Sequence, residues 1–173
     1  SGIPHVEAVV SGALPPAPFR LLPVKFFGGL LALGAGLALG REGPSVQMGA
    51  SIAYLLGKGC RRTVPDCRVL LAAGAGAGLA TAFNAPIAGA VFVLEELVRR
   101  FDTRMTIATL GASAGASAVA RVLLGDAPDF QVAPLPYPSF GTVPIHLALG
   151  VAAGFLGIAY NRALLGTLGA AGR

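Results

Sequence analysis

Gly40-Arg41-Glu42-Gly43-Pro44, running on as Ser45-Val46-Gln47-Met48-Gly49, places two charges and a proline between apolar runs. Proline favours the first turn of a helix, and glycine lets the chain bend sharply into it. Glu42 is therefore expected at or just before a helix N-terminus, within apolar sequence. Such a terminus carries unpaired N–H groups and partial positive charge, and it binds anions. Two readings fit the carboxylate. It caps the helix start, or it occupies a place that a mobile anion also takes. A carboxylate inside a membrane region is a functional residue by default.

The sequence around this stretch has the composition of a membrane protein. Of 173 residues, 54% are hydrophobic and 12% charged, about half the charged share of a soluble domain. Mean hydropathy is +0.73. Disorder needs the opposite balance. The 13 Lys and Arg outnumber the 8 Asp and Glu, giving a net charge of +5. They are scattered rather than interleaved with aromatics, which argues against a nucleic-acid partner. The 25 glycines lie within apolar runs, where small residues let helices approach closely in lipid.

Uncharged stretches at 26–40, 69–94, 105–120 and 144–161 mark the expected membrane segments, the last continuing past Arg162, with a shorter apolar piece at 45–57. Residues 69–94 are long enough to span ~30 Å of hydrocarbon. Asn84-Ala85-Pro86 interrupts them, and a helix breaks at such a proline. Short apolar segments broken by Gly and Pro point to a transporter's binding site. Arg99, Arg100 and Arg104 place the 97–104 loop in the cytoplasm, whereas 122–161 lacks Lys and Arg and reads as external. The basic connector at 58–68 looks like an exception to that rule. Four prolines at 127–139 predict an irregular loop. The chain opens without Met in what reads as a loop and stops after an apolar helix, so a fragment of a longer protein is expected.

Further motifs are weaker. Ser1-Gly2-Ile3-Pro4 offers a hydroxyl and backbone N–H groups to an anion, or Ser1 simply caps a helix. Glu95 and Glu96 end the half-helix after Pro86. Glu96 has i,i+4 spacing to Arg100, so it reads as an interfacial ion pair or as a cytoplasm-facing proton site. Gly74-Ala75-Gly76-Ala77-Gly78 lacks the spacing of a dinucleotide loop and reads as close helix packing. Gln47 reads as an interhelical hydrogen-bonding residue. Cys60 and Cys67 read as two free thiols. His5 and His146 have no ligand-like neighbours, so neither a metal nor any other cofactor is expected. No hydrolase nucleophile elbow is present, and no enzyme is expected.

Ser-Gly-Ile-Pro at 1–4, Leu-Pro-Val-Lys-Phe-Phe-Gly-Gly at 22–29, Gly-Arg-Glu-Gly-Pro at 40–44 and Phe-Asn-Ala-Pro at 83–86 occur in one order. In this the chain resembles the CLC family of chloride channels and proton/chloride exchangers, close to its bacterial members. The resemblance covers most of residues 1–104 and the rest more loosely. It implies an all-α integral membrane fold with broken, tilted transmembrane helices and two inverted halves. Residues 1–173 would form much of the first half. The second half would supply another helix N-terminus and a tyrosine hydroxyl at the anion site, and nothing here matches them.

The same resemblance implies roles. Ser1 resembles the central anion-coordinating serine, with Gly2 and Ile3 beside it. Proline there goes with nitrate preference in the family, so Ser1 implies chloride. Gly40, Arg41 and Gly43 would frame the outer anion site. Glu42 resembles the gating and proton-relaying glutamate, and Glu96 the internal proton-transfer glutamate of exchangers. The implied function is electrogenic chloride/proton antiport across a bacterial inner membrane, with chloride and protons as partners, in a homodimer embedded in the bilayer. A passive voltage- or proton-gated chloride channel is the alternative within transport. A non-transporting truncated membrane module is the alternative from another class.

Overall fold

A computed structural model describes residues 2–99, 101–125 and 139–171, and every regular element among them is helical. Local chemistry sets the helix ends. Helix α1 (Ile3–Ser11) starts after Gly2 with Pro4 in its first turn, and it stops at the left-handed Gly12. Ser1 lies outside the described residues, so its capping role has no counterpart here. Helix α2 spans Leu21–Gly34, and α3 spans Glu42–Gly59. Helix α4 (Val64–Phe83) is capped by Thr63, whose hydroxyl oxygen accepts from the Asp66 amide at 3.4 Å.

The break expected at Asn84 is present. Asn84 turns left-handed at φ 49°, and Pro86 opens α5 (Pro86–Phe92). The chain then widens into a π-helical turn at Val93–Val98, which ends at Arg99 with φ 52°. Helix α6 (Thr103–Leu124) is capped by Asp102, which accepts from the Met105 amide at 3.3 Å. These elements belong to one compact unit, Ser1–Phe130. The second unit, Gln131–Arg173, holds a 3-10 turn at Phe140–Thr142 and the 29-residue α7 (Val143–Ala171).

The structure corrects several sequence boundaries. The segment expected at 26–40 begins earlier, at Leu21, because a helix tolerates Pro23 in its first turn and the half-buried Lys25 can keep its charged end at a groove. It also ends earlier, before Gly36 at φ 80°. The piece at 45–57 is the body of α3. The third segment extends to Leu124, and the fourth runs past Arg162 to Ala171, as expected. The proline-rich loop at 127–139 falls almost wholly outside the described residues.

Backbone contact joins α3 to α4. A Cβ on Gly49 would strike the Gly74 carbonyl oxygen, one on Gly74 would strike Gly49, and one on Gly78 would strike the Ser45 carbonyl oxygen. These pairs run in opposite directions, so the helices are antiparallel. Gly76 lies under Thr109 and Ser113, Asp66 pairs with Arg104, and Asn84 meets Arg121. Helices α4 and α6 are therefore parallel. Val6, Val9, Val46, Leu71, Val93, Leu94 and Leu97 fill the core between α1, α3, α4 and the π turn.

This packing removes the apparent exception in charge placement. The Arg104–Asp66 ion pair sets the 60–63 and 99–102 connectors at the same end of the bundle. Both basic connectors share one side, as the positive-inside rule requires. Three helical segments among the described residues are long and apolar enough to cross a membrane: Val64–Phe83, Thr103–Leu124 and Phe140–Ala170.

Candidate functional site

Glu42 is the first residue of α3, and Arg41 precedes it. The earliest intrahelical donor is Ser45, whose amide reaches the Arg41 carbonyl at 3.1 Å. Pro44 has no N–H. The amides of Glu42 and Gly43 thus have no intrahelical acceptor, which leaves two donors at the positive end of an 18-residue helix. The half-buried Glu42 side chain doubles back, and its Oε2 lies where a Cβ on Gly40 would stand. Glycine at 40 is what leaves room for the carboxylate. The Arg41 guanidinium is directed elsewhere. It donates to the Ala82 carbonyl in the last turn of α4 at 2.8 Å and ties the two helix ends together. Gly40, Arg41 and Pro44 border an apolar groove of about 410 Å³ shared with Lys25 and Phe26 of α2.

A second helix start lies close by. Gly2, at φ 86° and ψ −151°, turns the chain into α1. Its carbonyl accepts from the Val6 amide at 3.2 Å, and Pro4 carries no donor. The amides of Ile3 and His5 are left without intrahelical acceptors. The Gly2 amide donates to Gln47 Oε1 at 2.9 Å. Gln47 is on the second turn of α3, about 7–8 Å along the axis from Glu42. The structure therefore brings Gly2, Ile3, Gly40, Arg41, Glu42 and Gly43 to two neighbouring, proline-started helix N-termini. Gln47 is interhelical, as expected from sequence.

Glu96 is placed elsewhere. It is exposed in the π turn beside Glu95. Arg41 touches the last turn of α4, whereas the π turn leads to the connector beside Asp66 in the first turn. Glu42 and Glu96 thus lie toward opposite ends of α4, a helix ~30 Å long. π turns inside α-helices occur mostly at functional positions. Arg100, the expected partner of Glu96, lies outside the described residues. The neighbouring Arg99 pairs with Glu7 of α1 at 3.3 Å.

Sequence reasoning passed over His5. Its Nδ1 lies 3.4 Å from Gln47 Nε2. A buried amide in an apolar helix signals that polar partners must be near, but not which they are. Cys60 and Cys67 are free thiols. No cluster of metal ligands is present among the described residues.

Broken apolar helices, three helices among the described residues long and apolar enough to cross a bilayer, and basic connectors gathered on one side define a helical integral membrane protein. The sequence pattern of the family described as voltage gated chloride channel matches residues 1–172, and the chain belongs to that family. It is 42% identical over 166 residues to the H(+)/Cl(-) exchange transporter ClcA of Vibrio cholerae, covering 93% of this chain and 35% of the relative. It is 41% identical over 170 residues to the transporter of the same name from Cronobacter sakazakii, covering 96% and 36%. The crystal structure of a slow cyanobacterial Cl-/H+ antiporter superposes with a TM-score of 0.84 at 38% identity, covering 94% of this chain and 39% of that one. The chain spans little more than a third of the length of these relatives.

Proposed function

We propose that this chain supplies much of the first half of an electrogenic chloride/proton antiporter of a bacterial inner membrane, acting as a homodimer and as a transporter rather than an enzyme. The observation that carries the reading is the Glu42 carboxylate folded over Gly40 at the start of α3, beside unpaired amides. A dehydrated anion needs donors without a full buried countercharge, and helix-end N–H groups supply them. The Ser1 hydroxyl and the Ile3 amide, with Gly2 turning the chain between them, would serve a central chloride, and Gly40, Arg41 and Gly43 an outer one through backbone amides.

A deprotonated Glu42 competes with chloride for the same donors. Once protonated it loses that attraction and swings away, and chloride enters. Proton and chloride occupancy are thereby linked. Glu96, at the basic and hence cytoplasmic end, would pass the proton inward. The names of the relatives support chloride and protons as the substrates. The other half of the complete protein would close the pathway.

The test uses the complete parent protein in liposomes. Glu96→Gln is expected to abolish proton movement while chloride flux continues. Coupled proton movement persisting in Glu96→Gln would overturn the assignment.

A further inference from the structure

Gln47 is 1% exposed, yet it lies on an otherwise apolar stretch of α3 between Val46 and Ala50, both buried. Burying an amide is unfavourable unless its groups are bonded. Its partners are not on its own helix. The side-chain oxygen accepts from the Gly2 amide 45 residues earlier, and the side-chain nitrogen faces His5 Nδ1 42 residues earlier. The two contacts fix the amide's orientation. Gly2 N–H can only donate, so the oxygen must face it. The nitrogen then faces the ring of His5, whose Nδ1 accepts when that nitrogen carries no proton.

Gly2 also holds a backbone, φ 86° and ψ −151°, that a residue with a side chain adopts only with strain. Its nitrogen is the one bonded to Ser1. We infer that Gln47 is a positioning residue: through its bond to the Gly2 amide it holds the turn at Gly2, and so the start of α1, in register with the helix that Glu42 begins. The inference rests on the proposed reading of residues 1–4 as part of a chloride site. Gln47 touches no anion itself. It acts through Gly2, and it gives the starts of α1 and α3 one shared attachment.

The experiment measures chloride binding by calorimetry on the purified complete parent protein. Gln47→Met keeps the length and removes the amide. It is expected to weaken chloride binding roughly tenfold, the loss of about one buried hydrogen bond. Leu71→Ala, which truncates a buried core side chain of α4 and leaves the Gly2–Gln47 bond intact, is expected to lower thermal stability and leave chloride affinity unchanged. Wild-type affinity in folded Gln47→Met would overturn the inference, and so would an equal loss of affinity in Leu71→Ala. Should Gln47→Met not fold, Gln47→Asn keeps an amide that falls short of Gly2. It is expected to weaken binding as well, and wild-type affinity there would overturn the inference. No saturable chloride binding in the wild type would instead bring down the proposed function, and the inference with it.

Discussion

At the scale of single residues, the proposed site rests on three positions by three different means. Glu42 acts through its charge, Gly40 through the space it leaves, and Gly2 through its backbone. Replacing Glu42 with Ala removes the competitor for the α3 amides, so chloride and proton movement are expected to uncouple in liposomes. An unchanged chloride-to-proton ratio would count against gating by Glu42. Replacing Gly2 with Ala forces a side chain into a backbone region that costs on the order of 1–3 kcal/mol. The melting temperature of the parent protein is expected to fall and its chloride affinity to weaken. Glu42 was legible in the sequence because proline and glycine mark a helix start within five residues. The partner of Gln47 was not, because it lies 45 residues away and nothing in a linear pattern says which buried donor an amide will meet.

Elements show the same division between local and distant information. The α4–α5 break was legible from Asn84 and Pro86, whose preferences are intrinsic. The π turn at Val93–Val98 was not, since one extra residue in a helical turn leaves no compositional mark. Nor could a linear pattern show the partner of Arg99. The left-handed turn at Arg99 aims that side chain at Glu7. The helix pairing was announced only as small residues. The structure shows that Gly49, Gly74 and Gly78 let α3 and α4 touch through their backbones. A side chain at Gly74 would meet the Gly49 carbonyl and, at 2.5 Å, the Ala53 Cβ. Gly74→Val is therefore expected to destabilise the fold by about 1–3 kcal/mol or more. A lower midpoint of thermal unfolding in detergent would show this. Gly111 faces open space on α6, and Gly111→Ala is expected to leave that midpoint unchanged or raise it slightly.

At the scale of the whole molecule, orientation and coupling are the two claims. Orientation was half legible. The charge bias of 97–104 set a cytoplasmic side, but 58–68 seemed to contradict it until the Asp66–Arg104 pair showed both connectors at one end. Cys60 is exposed on that end and Cys67 is buried. A membrane-impermeant maleimide is expected to label Cys60 from the cytoplasmic face of sealed vesicles and not from the other, with the adduct located by peptide mass. Labelling from the external face would invert the arrangement.

Coupling is tested most directly by chloride-driven proton flux in liposomes reconstituted with the complete parent protein. The account predicts that a chloride gradient drives protons against their own gradient, in the opposite direction to chloride. Chloride flux with no accompanying proton movement would contradict it, and would leave Glu96 an exposed carboxylate at the basic end of the bundle.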